Sequence, residues 1–546
     1  ACSHQQPFTL TVAHLNDTHS HLEPTGLRVV IHGEKTTLQS GGFARLKTVV
    51  DQMRPAGPQL VLLHAGDAVQ GTLYFTLFNG EPEFDFLNRL GLAAMTFGNH
   101  EFDRGTAPIP GWIKRSSFPW LSANIDFSQE PAIAPLVQPY QIRQLNGEQV
   151  GLIGVTTETT PLATQQVGAA IFKDAAASVR QQVAAMTAKG VNKIILLSHL
   201  GYQQDKLLAA QVAGLDIIVG GHSHTLLGDA AQLAAIGLAP EGDYPTKIMG
   251  PDGKPVLVLQ AWRWGAVVGR LQVQFSRDGV VEQATAAAVL PIGNGFSRAG
   301  TPVPPGSAQY REISAALESS GIVRVVPEDP EMAAALQPYT RQLAQFRGKI
   351  VARAADELLV GLNSGPGPLV ADSMLAAVPG AQFALLNYGG VRRGLAAGPV
   401  SVADVLELLP FNDTLVLVDL RGTEVRQLLE ETIDFLIAKF GADSRAMPYP
   451  AGLRISVQSA APKGQRVRAL AVRQHDGGYL PLQESAVYRV VVNSFEAKGG
   501  DGCLTLKQAG GFRDDTGIID SDALAAYLTR VGTVGNQVEE RVTIVP

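Results

Sequence analysis

Residues 97–105 read FGNHEFDRG and hold an amide, an imidazole, two carboxylates and a guanidinium, directly after an apolar run. Buried polar groups are unfavourable unless they bind one another or a ligand. This segment therefore predicts a functional loop at the end of a buried strand.

Four other apolar runs in the first half of the chain end in similar polar segments: NDTHSH (16–21), GDA (66–68), SHLG (198–201) and GGHSH (220–224). Each alone is typical of a turn or a core histidine, but six of the eleven histidines fall in these five segments. Strand ends meet at one edge of an open α/β sheet, so we expect these side chains to converge. Asp, Asn and His bind borderline divalent metals, and the sequence therefore predicts a metal centre.

The chain of 546 residues is too long for one hydrophobic core, which predicts two domains. In the first half, apolar runs alternate with helical patterns such as GGFARLKTVVDQM (41–53), and this favours mixed α/β layers. The segment TPVPPGSAQ (301–309) breaks the pattern. Residues 327–349 begin acidic and end basic, which predicts a linker helix, with a kink or early stop at Pro338. A second α/β unit is predicted from Ile350 onward.

Composition excludes some classes of function. The net charge of −6 and the lack of a basic cluster argue against nucleic acid as a partner. No apolar run is long enough to span a membrane. The opening Ala1-Cys2 is similar to a bacterial lipoprotein processing site and predicts a lipid anchor at Cys2, with a simple exposed cysteine as the alternative. Two cysteines exclude a disulfide framework.

The order of the motifs indicates a family. NDTHSH, GDAVQG, GNHEFDRG, SHLG and GGHSHT resemble the motifs of calcineurin-like metallophosphoesterases, and specifically of the 5′-nucleotidase family in its bacterial, periplasmic type. Residues 244–275 and the segments NYGGVRR, LPFNDTLV and NSFEAKGGDG extend the resemblance over nearly the whole chain.

The resemblance implies an α/β fold with a four-layer α/β/β/α catalytic sandwich, a linker helix and a smaller C-terminal α/β substrate-binding domain. We expect a lead at residues 1–7, the catalytic domain at 8–303, the linker at 304–349 and the nucleotide-binding domain at 350–546. We expect the protein to be exported and to be periplasmic, anchored to the outer membrane or extracellular.

The resemblance also implies two divalent metal ions, with zinc, manganese, iron or cobalt all left open. One ion would be held by Asp17, His19 and His224, and the other by Asn99, His199 and His222, with Asp67 bridging both. His100, oriented by Asp103, would face the scissile phosphate. The implied reaction removes phosphate from 5′-nucleotides by attack of a metal-activated water.

In the second half, the resemblance implies that Phe411 and Phe495 sandwich the base and that Asp501 binds ribose hydroxyls. Asn387 would lie near the nucleoside and Arg392 would bind phosphate. The stretch LLVGLNSGPGPLVADSM (358–374) departs from the family, because Leu362 and Asn363 stand where arginine and glutamate are expected. Nucleotide sugars, other pyrophosphates or cyclic nucleotides therefore stay alternative substrates. The alternative to an enzyme is a non-catalytic surface binding protein that retains the fold.

Overall fold

The computed structural model describes residues 7–54, 60–163 and 166–545, without the side chains of residues 162 and 163. The chain divides into two compact units, Ala1–Tyr339 and Thr340–Pro546. Cys2, with its predicted lipidation, lies outside the described residues.

The first unit is built around two large sheets. The first sheet has eleven strands, in the spatial order Thr25–Ile31, Glu34–Ser40, Val281–Arg298, Val268–Phe275, Phe8–Leu15, Leu60–His64, Ala94–Thr96, Trp120–Leu121 and Val137–Gln138, with Thr301–Pro302 and Val323–Val325 paired to Val281–Arg298. The second sheet has six strands, in the order Thr246–Met249, Pro255–Gln260, Ile217–Gly220, Ile194–His199, Glu148–Thr156 and Tyr140–Leu145. Ile125–Asp126 and Ile171–Phe172 form a separate pair.

The two sheets pack face to face, because their strands are apolar on both sides. In the second sheet, Leu152 and Leu197 face the first sheet, whereas Ile153 and Leu196 face the helices Ala175–Thr187 and Tyr202–Gln211. Such doubly buried strands read as continuous apolar runs rather than alternating ones.

Helices also cover the outer face of the first sheet, where Phe43–Met53 packs on Val268–Phe275 and Val281–Arg298. The expected four-layer α/β/β/α arrangement is therefore confirmed. In the described part of this unit, the remaining helices are Leu73–Phe78, Glu81–Leu90, Ile109–Arg115, Thr160–Ala163, Ala230–Ala234 and Ala308–Ser319, with short 3-10 turns at Asn99–Phe102 and Ala134–Leu136.

Parallel pairing places the predicted polar segments at one edge of the sandwich. Phe8–Leu15 runs parallel to Leu60–His64, and Leu60–His64 runs parallel to Ala94–Thr96. In the second sheet, Ile194–His199 and Ile217–Gly220 are also parallel neighbours. The carboxyl ends of these five strands carry all five polar segments.

The helix Pro330–Arg347 continues through Pro338, so the predicted early stop is wrong. Pro338 lies on the exposed side of the helix, while Leu336 and Leu343 on either side of it are buried. A proline removes one intrahelical donor, and at an exposed position water can satisfy the carbonyl left behind. Burial of the apolar stripe outweighs that loss.

The second unit contains three sheets. Their spatial orders are Gly398–Ser401, Ile350–Ala354 and Thr533–Val534; Tyr449–Ala451, Phe383–Leu386, Val487–Asn493, Thr414–Arg421 and Arg513–Ile519; and Tyr479–Pro481, Val467–Arg473, Leu453–Gln458 and Val542–Val545. The helices are Pro366–Ala377, Val402–Leu408, Gly422–Phe440, Ser494–Ala497, Leu504–Gln508 and Asp520–Val531, with 3-10 turns at Tyr388–Gly390 and Gly500–Gly502.

The core of this unit includes Val418, Leu429, Ile433 and Val490, and it also buries Cys503 as a free thiol. Across the described residues, no helix of either unit is long and apolar enough to cross a membrane.

Candidate active site

Asp17, His19 and His224 form a buried group of potential metal ligands in the first unit. The His224 Nε2 atom lies 3.3 Å from Asp17 Oδ1, and the His19 Nε2 atom lies 3.1 Å from His224 Nε2. Asp17 and His19 follow the strand Phe8–Leu15, whereas His224 follows Ile217–Gly220. Residues more than two hundred positions apart therefore meet at the expected edge.

A second group contains Asp67, His199 and His222. The His199 Nε2 atom lies 2.9 Å from Asp67 Oδ2. Asn99 joins this group, since its Oδ1 atom lies 3.0 Å from His222 Nδ1. These four side chains come from four different strand ends, so the sheet arrangement alone brings them together.

Asp67, a member of the second group, also lies close to the first. Its Oδ2 atom is 2.9 Å from the His199 imidazole of the second group and 3.7 Å from the His19 imidazole of the first. One carboxylate oxygen is thus within reach of ligands from both groups, which is the placement expected of a residue shared by two cations.

The histidine tautomers fit cation binding. His19 Nδ1 lies 2.7 Å from Gln70 O, and His199 Nδ1 lies 2.6 Å from Ala65 O. Each Nδ1–H donates to that carbonyl, and each Nε2 lone pair is left facing the carboxylates. Two acceptors at 2.9 Å repel unless a positive charge lies between them, so His199 and Asp67 form a place for a cation or a proton.

The electrostatics of this cluster agree with that geometry. Burial lowers the pKa of His199, but the charge and hydrogen bond of Asp67 outweigh it, and the pKa reaches about 9. Burial opposes the charged form of Asp67, yet His199 and His100 lower its pKa overall. Metal ligands bind deprotonated, so a divalent cation would replace the proton held here.

The residues proposed to bind metal have an unusual backbone conformation. Asp17, His19, Asp67, His222 and His224 all have positive φ, between 45° and 74°. For residues other than glycine this costs about 1–3 kcal/mol each and is concentrated at functional sites.

The loops that carry the ligands also approach one another closely. A Cβ added at Gly98 would lie 2.0 Å from Asp67 Oδ1, so only glycine fits between the two loops. Asp17 N–H donates to Gly66 O at 3.0 Å, which ties the first loop to the second.

His100 and Asp103 form the expected pair. His100 Nδ1 lies 2.7 Å from Asp103 Oδ2, and the His100 ring centre is 5.3 Å from that of His19. His100 N–H also donates to Asp67 Oδ1 at 2.9 Å. Burial raises the pKa of Asp103, although the neighbouring His100 opposes this shift.

Glu101 has a structural place beside the proposed metal ligands. Its carboxylate accepts hydrogen bonds from the N–H groups of Gly98, Asp67 and Ala68 at 2.6, 3.0 and 2.8 Å. It therefore joins two ligand-bearing loops. Burial, with the nearby charge of Asp67, raises the pKa of Glu101 to about 7.

Two positioning residues were not singled out from the sequence. Asn16 Nδ2 donates to Asp17 Oδ2 at 2.7 Å and to Trp262 O at 2.8 Å, which fixes the Asp17 carboxylate. Gln260 Oε1 accepts from Thr225 N–H at 2.5 Å and so holds the loop of His224. Asn16 was visible in NDTHSH, and the polar end of the apolar strand PVLVLQ was the signal for Gln260.

In the second unit, Asn387 and Asp501 are in contact: Asn387 Nδ2 donates to Asp501 Oδ2 at 2.8 Å. The Arg392 guanidinium lies 5.5 Å from the ring centre of Phe411. Phe411 and Phe495 are 37% and 44% exposed, so neither ring is a core side chain.

The two phenylalanines lie at the same end of a pair of antiparallel strands. Phe411 lies three residues before Thr414–Arg421, and Phe495 lies two residues after Val487–Asn493. Leu415 pairs with Asn493 in the register. The sheet thus brings the five predicted substrate-binding residues to one region of this unit.

The departure at residues 362 and 363 has a structural explanation. Leu362 is buried in the core of the second unit. Asn363 Oδ1 accepts from the N–H groups of Arg541 and Val542 at 3.0 and 2.9 Å, and its Nδ2 donates to Val542 O at 2.8 Å. Asn363 holds the C-terminal strand in place, and neither side chain supplies positive charge. Asp372 binds Arg541 through two hydrogen bonds of 2.9 and 2.8 Å.

The layered fold and the paired Asp, His and Asn groups define the class of metal-dependent phosphoesterases. Residues 10–226 match the calcineurin-like phosphoesterase family, and residues 359–508 match the 5′-nucleotidase C-terminal domain. The chain is 34% identical to the "Probable 5′-nucleotidase" of Treponema pallidum, over 95% of this chain and 92% of the relative. It belongs to the 5′-nucleotidase family.

Solved structures agree with this assignment. The NAD nucleotidase of Haemophilus influenzae superposes with a TM-score of 0.85 at 26% identity, covering 99% of both chains. The 5′-nucleotidase precursor of Thermus thermophilus is 37% identical with a TM-score of 0.60, covering 98% of this chain and 99% of that one. The predicted family, the two-domain α/β fold and the class of metal-dependent phosphoester hydrolase are thus confirmed.

Proposed function

We propose that the protein removes phosphate from 5′-nucleotides and releases a nucleoside and inorganic phosphate. The proposed ligands of two divalent cations are Asp17, His19 and His224 for one ion, Asn99, His199 and His222 for the other, and Asp67 for both. The observation that carries the proposal is the position of Asp67 Oδ2 between the His19 and His199 imidazoles.

When bound, such a pair of cations provides an activated water and charge stabilisation at the phosphate. The donors of this chain balance only part of that charge, because Asp17 and Asp67 are the two carboxylates among otherwise neutral ligands. The site therefore favours an anionic substrate. The mixed nitrogen and oxygen donors accept zinc, manganese, iron or cobalt.

His100 is proposed to protonate the leaving oxygen of the substrate. Asp103 accepts the Nδ1–H of His100, which fixes the tautomer and favours the charged imidazole. The proton to be transferred is then carried by Nε2.

Substrate recognition is assigned to the second unit. Phe411 and Phe495 would stack on the base, since aromatic rings bind every base through its π face. The Asp501 carboxylate would accept hydrogen bonds from ribose hydroxyls, with Asn387 beside it, and Arg392 would contact phosphate.

A second candidate is hydrolysis of nucleotide sugars, other pyrophosphates or cyclic nucleotides. The structural roles of Leu362 and Asn363 favour it, because neither residue contributes the positive charge that a terminal phosphate dianion would need. The predicted export, with its anchor at Cys2, stays a prediction.

A substrate panel tests the proposal. Purified protein would be loaded with each metal in turn and assayed with AMP, ATP, a nucleotide sugar, a cyclic nucleotide and an aryl phosphate. We expect the highest kcat/KM with AMP. A preference for the nucleotide sugar would favour the second candidate, and metal-replete protein that hydrolyses nothing would favour a binding protein.

A further inference from the structure

Asn493 ends the strand Val487–Asn493, directly before the short helix that carries Phe495. Its side chain is buried, and both ends of the amide are used. Asn493 Oδ1 accepts from Glu496 N–H at 2.8 Å and caps the helix, while Asn493 Nδ2 donates to Asn387 Oδ1 at 2.8 Å. The orientation of this amide is therefore fixed on both sides.

The hydrogen-bond chain continues to the edge of the proposed nucleoside site. Asn387 Nδ2 donates to Asp501 Oδ2 at 2.8 Å. Asp501 has a positive φ of 51°, a conformation that needs support from its surroundings.

The order of donors and acceptors along this series of hydrogen bonds matters, because an amide has one donor end and one acceptor end. Asn493 can offer only Nδ2 to Asn387, so Asn387 must turn its Oδ1 toward Asn493 and its Nδ2 toward Asp501. With the Asn387 amide reversed, its oxygen would face the Asp501 carboxylate, and the two acceptors would repel. Asn493 thus selects the orientation of Asn387 that keeps Asp501 in place.

We propose that Asn493 is a positioning residue for nucleotide binding. It holds the helix of Phe495 with one end of its amide and, through Asn387, the Asp501 carboxylate with the other. The aromatic and polar halves of the site are thereby kept in one arrangement. This inference rests on the proposed function, and Asn493 itself, at 1% exposure, touches no substrate.

The test uses Asn493→Ser and Asn493→Asp. Serine and aspartate both cap helices well, so the helix of Phe495 keeps its cap. Serine is too short to reach Asn387, and aspartate offers an acceptor where a donor is needed. We expect KM for AMP to rise about 10-fold in both, as for one lost positioning hydrogen bond. kcat should stay within about twofold, and kcat/KM for an aryl phosphate should be unchanged.

A double-mutant cycle separates positioning from a direct role. If Asn493 acts through Asn387, then Asn387→Ala with Asn493→Ser should bind AMP no more weakly than Asn387→Ala alone. Fully additive effects would overturn the inference. An equal loss of aryl phosphate and AMP hydrolysis in both Asn493 variants would also overturn it, because that would show a general structural defect.

Failure of the proposed function would give different results from failure of the inference about Asn493. In that case, wild-type protein would show no preference for AMP over the aryl phosphate, and Phe495→Ala would change nothing. A wild-type preference that Phe495→Ala removes and both Asn493 variants retain would contradict the inference about Asn493 alone.

Discussion

At the scale of single residues, Asp67 and His100 are joined by a hydrogen bond of 2.9 Å but have different proposed roles. Asp67 belongs to one group of potential metal ligands and lies 3.7 Å from His19 of the other, whereas His100 pairs with Asp103 through its Nδ1 atom. A variant of each should therefore fail in a different way.

We predict that His100→Ala retains both metals and loses roughly 10²–10⁴-fold in kcat, the usual contribution of a general acid. Asp67→Ala should lose metal as well as activity, because neither cation keeps its shared ligand. Metal content by elemental analysis, together with kcat on AMP, checks both. His32→Ala is the control, since His32 is exposed and pairs with Glu312 far along the chain. Equal metal loss in the His100 and Asp67 variants would refute the division of roles.

At the scale of elements, the turn Gly500–Gly502 carries Asp501 and lies against the Phe495 ring. A Cβ at Gly500 would lie 2.4 Å from Phe495 Cε1, well inside van der Waals contact. With a Cβ at Gly500, the Phe495 ring would have to rotate away. The turn therefore determines the position of that ring.

Gly500→Ala is accordingly predicted to raise KM for AMP several-fold and to raise KM for the aryl phosphate less, since that substrate has an aromatic ring but no ribose. Gly510→Ala is the matched control in the same unit, because a Cβ there meets nothing within 4 Å. Steady-state kinetics on both substrates gives the result. Identical KM values for the two variants would mean that Phe495 does not contact the nucleotide.

The helix Pro330–Arg347 allows an independent test of stability. Proline in a helix interior is about 3 kcal/mol less favourable than alanine, although its stiffness in the unfolded chain offsets part of this. Pro338→Ala should therefore stabilise the protein by about 1–3 kcal/mol, seen as a higher midpoint in denaturant unfolding. Gln342→Ala, at another exposed position of the same helix, should change the midpoint little; a fall in the Pro338→Ala midpoint would show that this proline is needed where it stands.

At the scale of the whole molecule, the layers and the strand ends were predictable because apolar runs and the polar segments after them are local signals. Asn16 and Gln260 were missed, since their partners lie far along the chain and only the folded sheets bring them together. The early stop, one of the two predicted alternatives at Pro338, was wrong because local propensity cannot report how much apolar surface the rest of the helix buries. The use of Asn363 to hold the C-terminal strand likewise depends on a contact across 179 residues.

The division into two units predicts two separable responses to ligands. All proposed metal ligands lie in Ala1–Tyr339, and all proposed nucleoside contacts lie in Thr340–Pro546. A ligand stabilises the unit that binds it by RT ln(1 + [L]/Kd), about 2.7 kcal/mol at a hundredfold excess over Kd. Calorimetry should show two transitions, of which a chelator lowers only one and adenosine raises only the other. The Asp67→Ala variant should abolish the chelator effect and keep the adenosine effect, while Phe495→Ala should do the reverse. If chelation and adenosine shift the same transition, the assignment of metal and nucleoside to separate units is wrong.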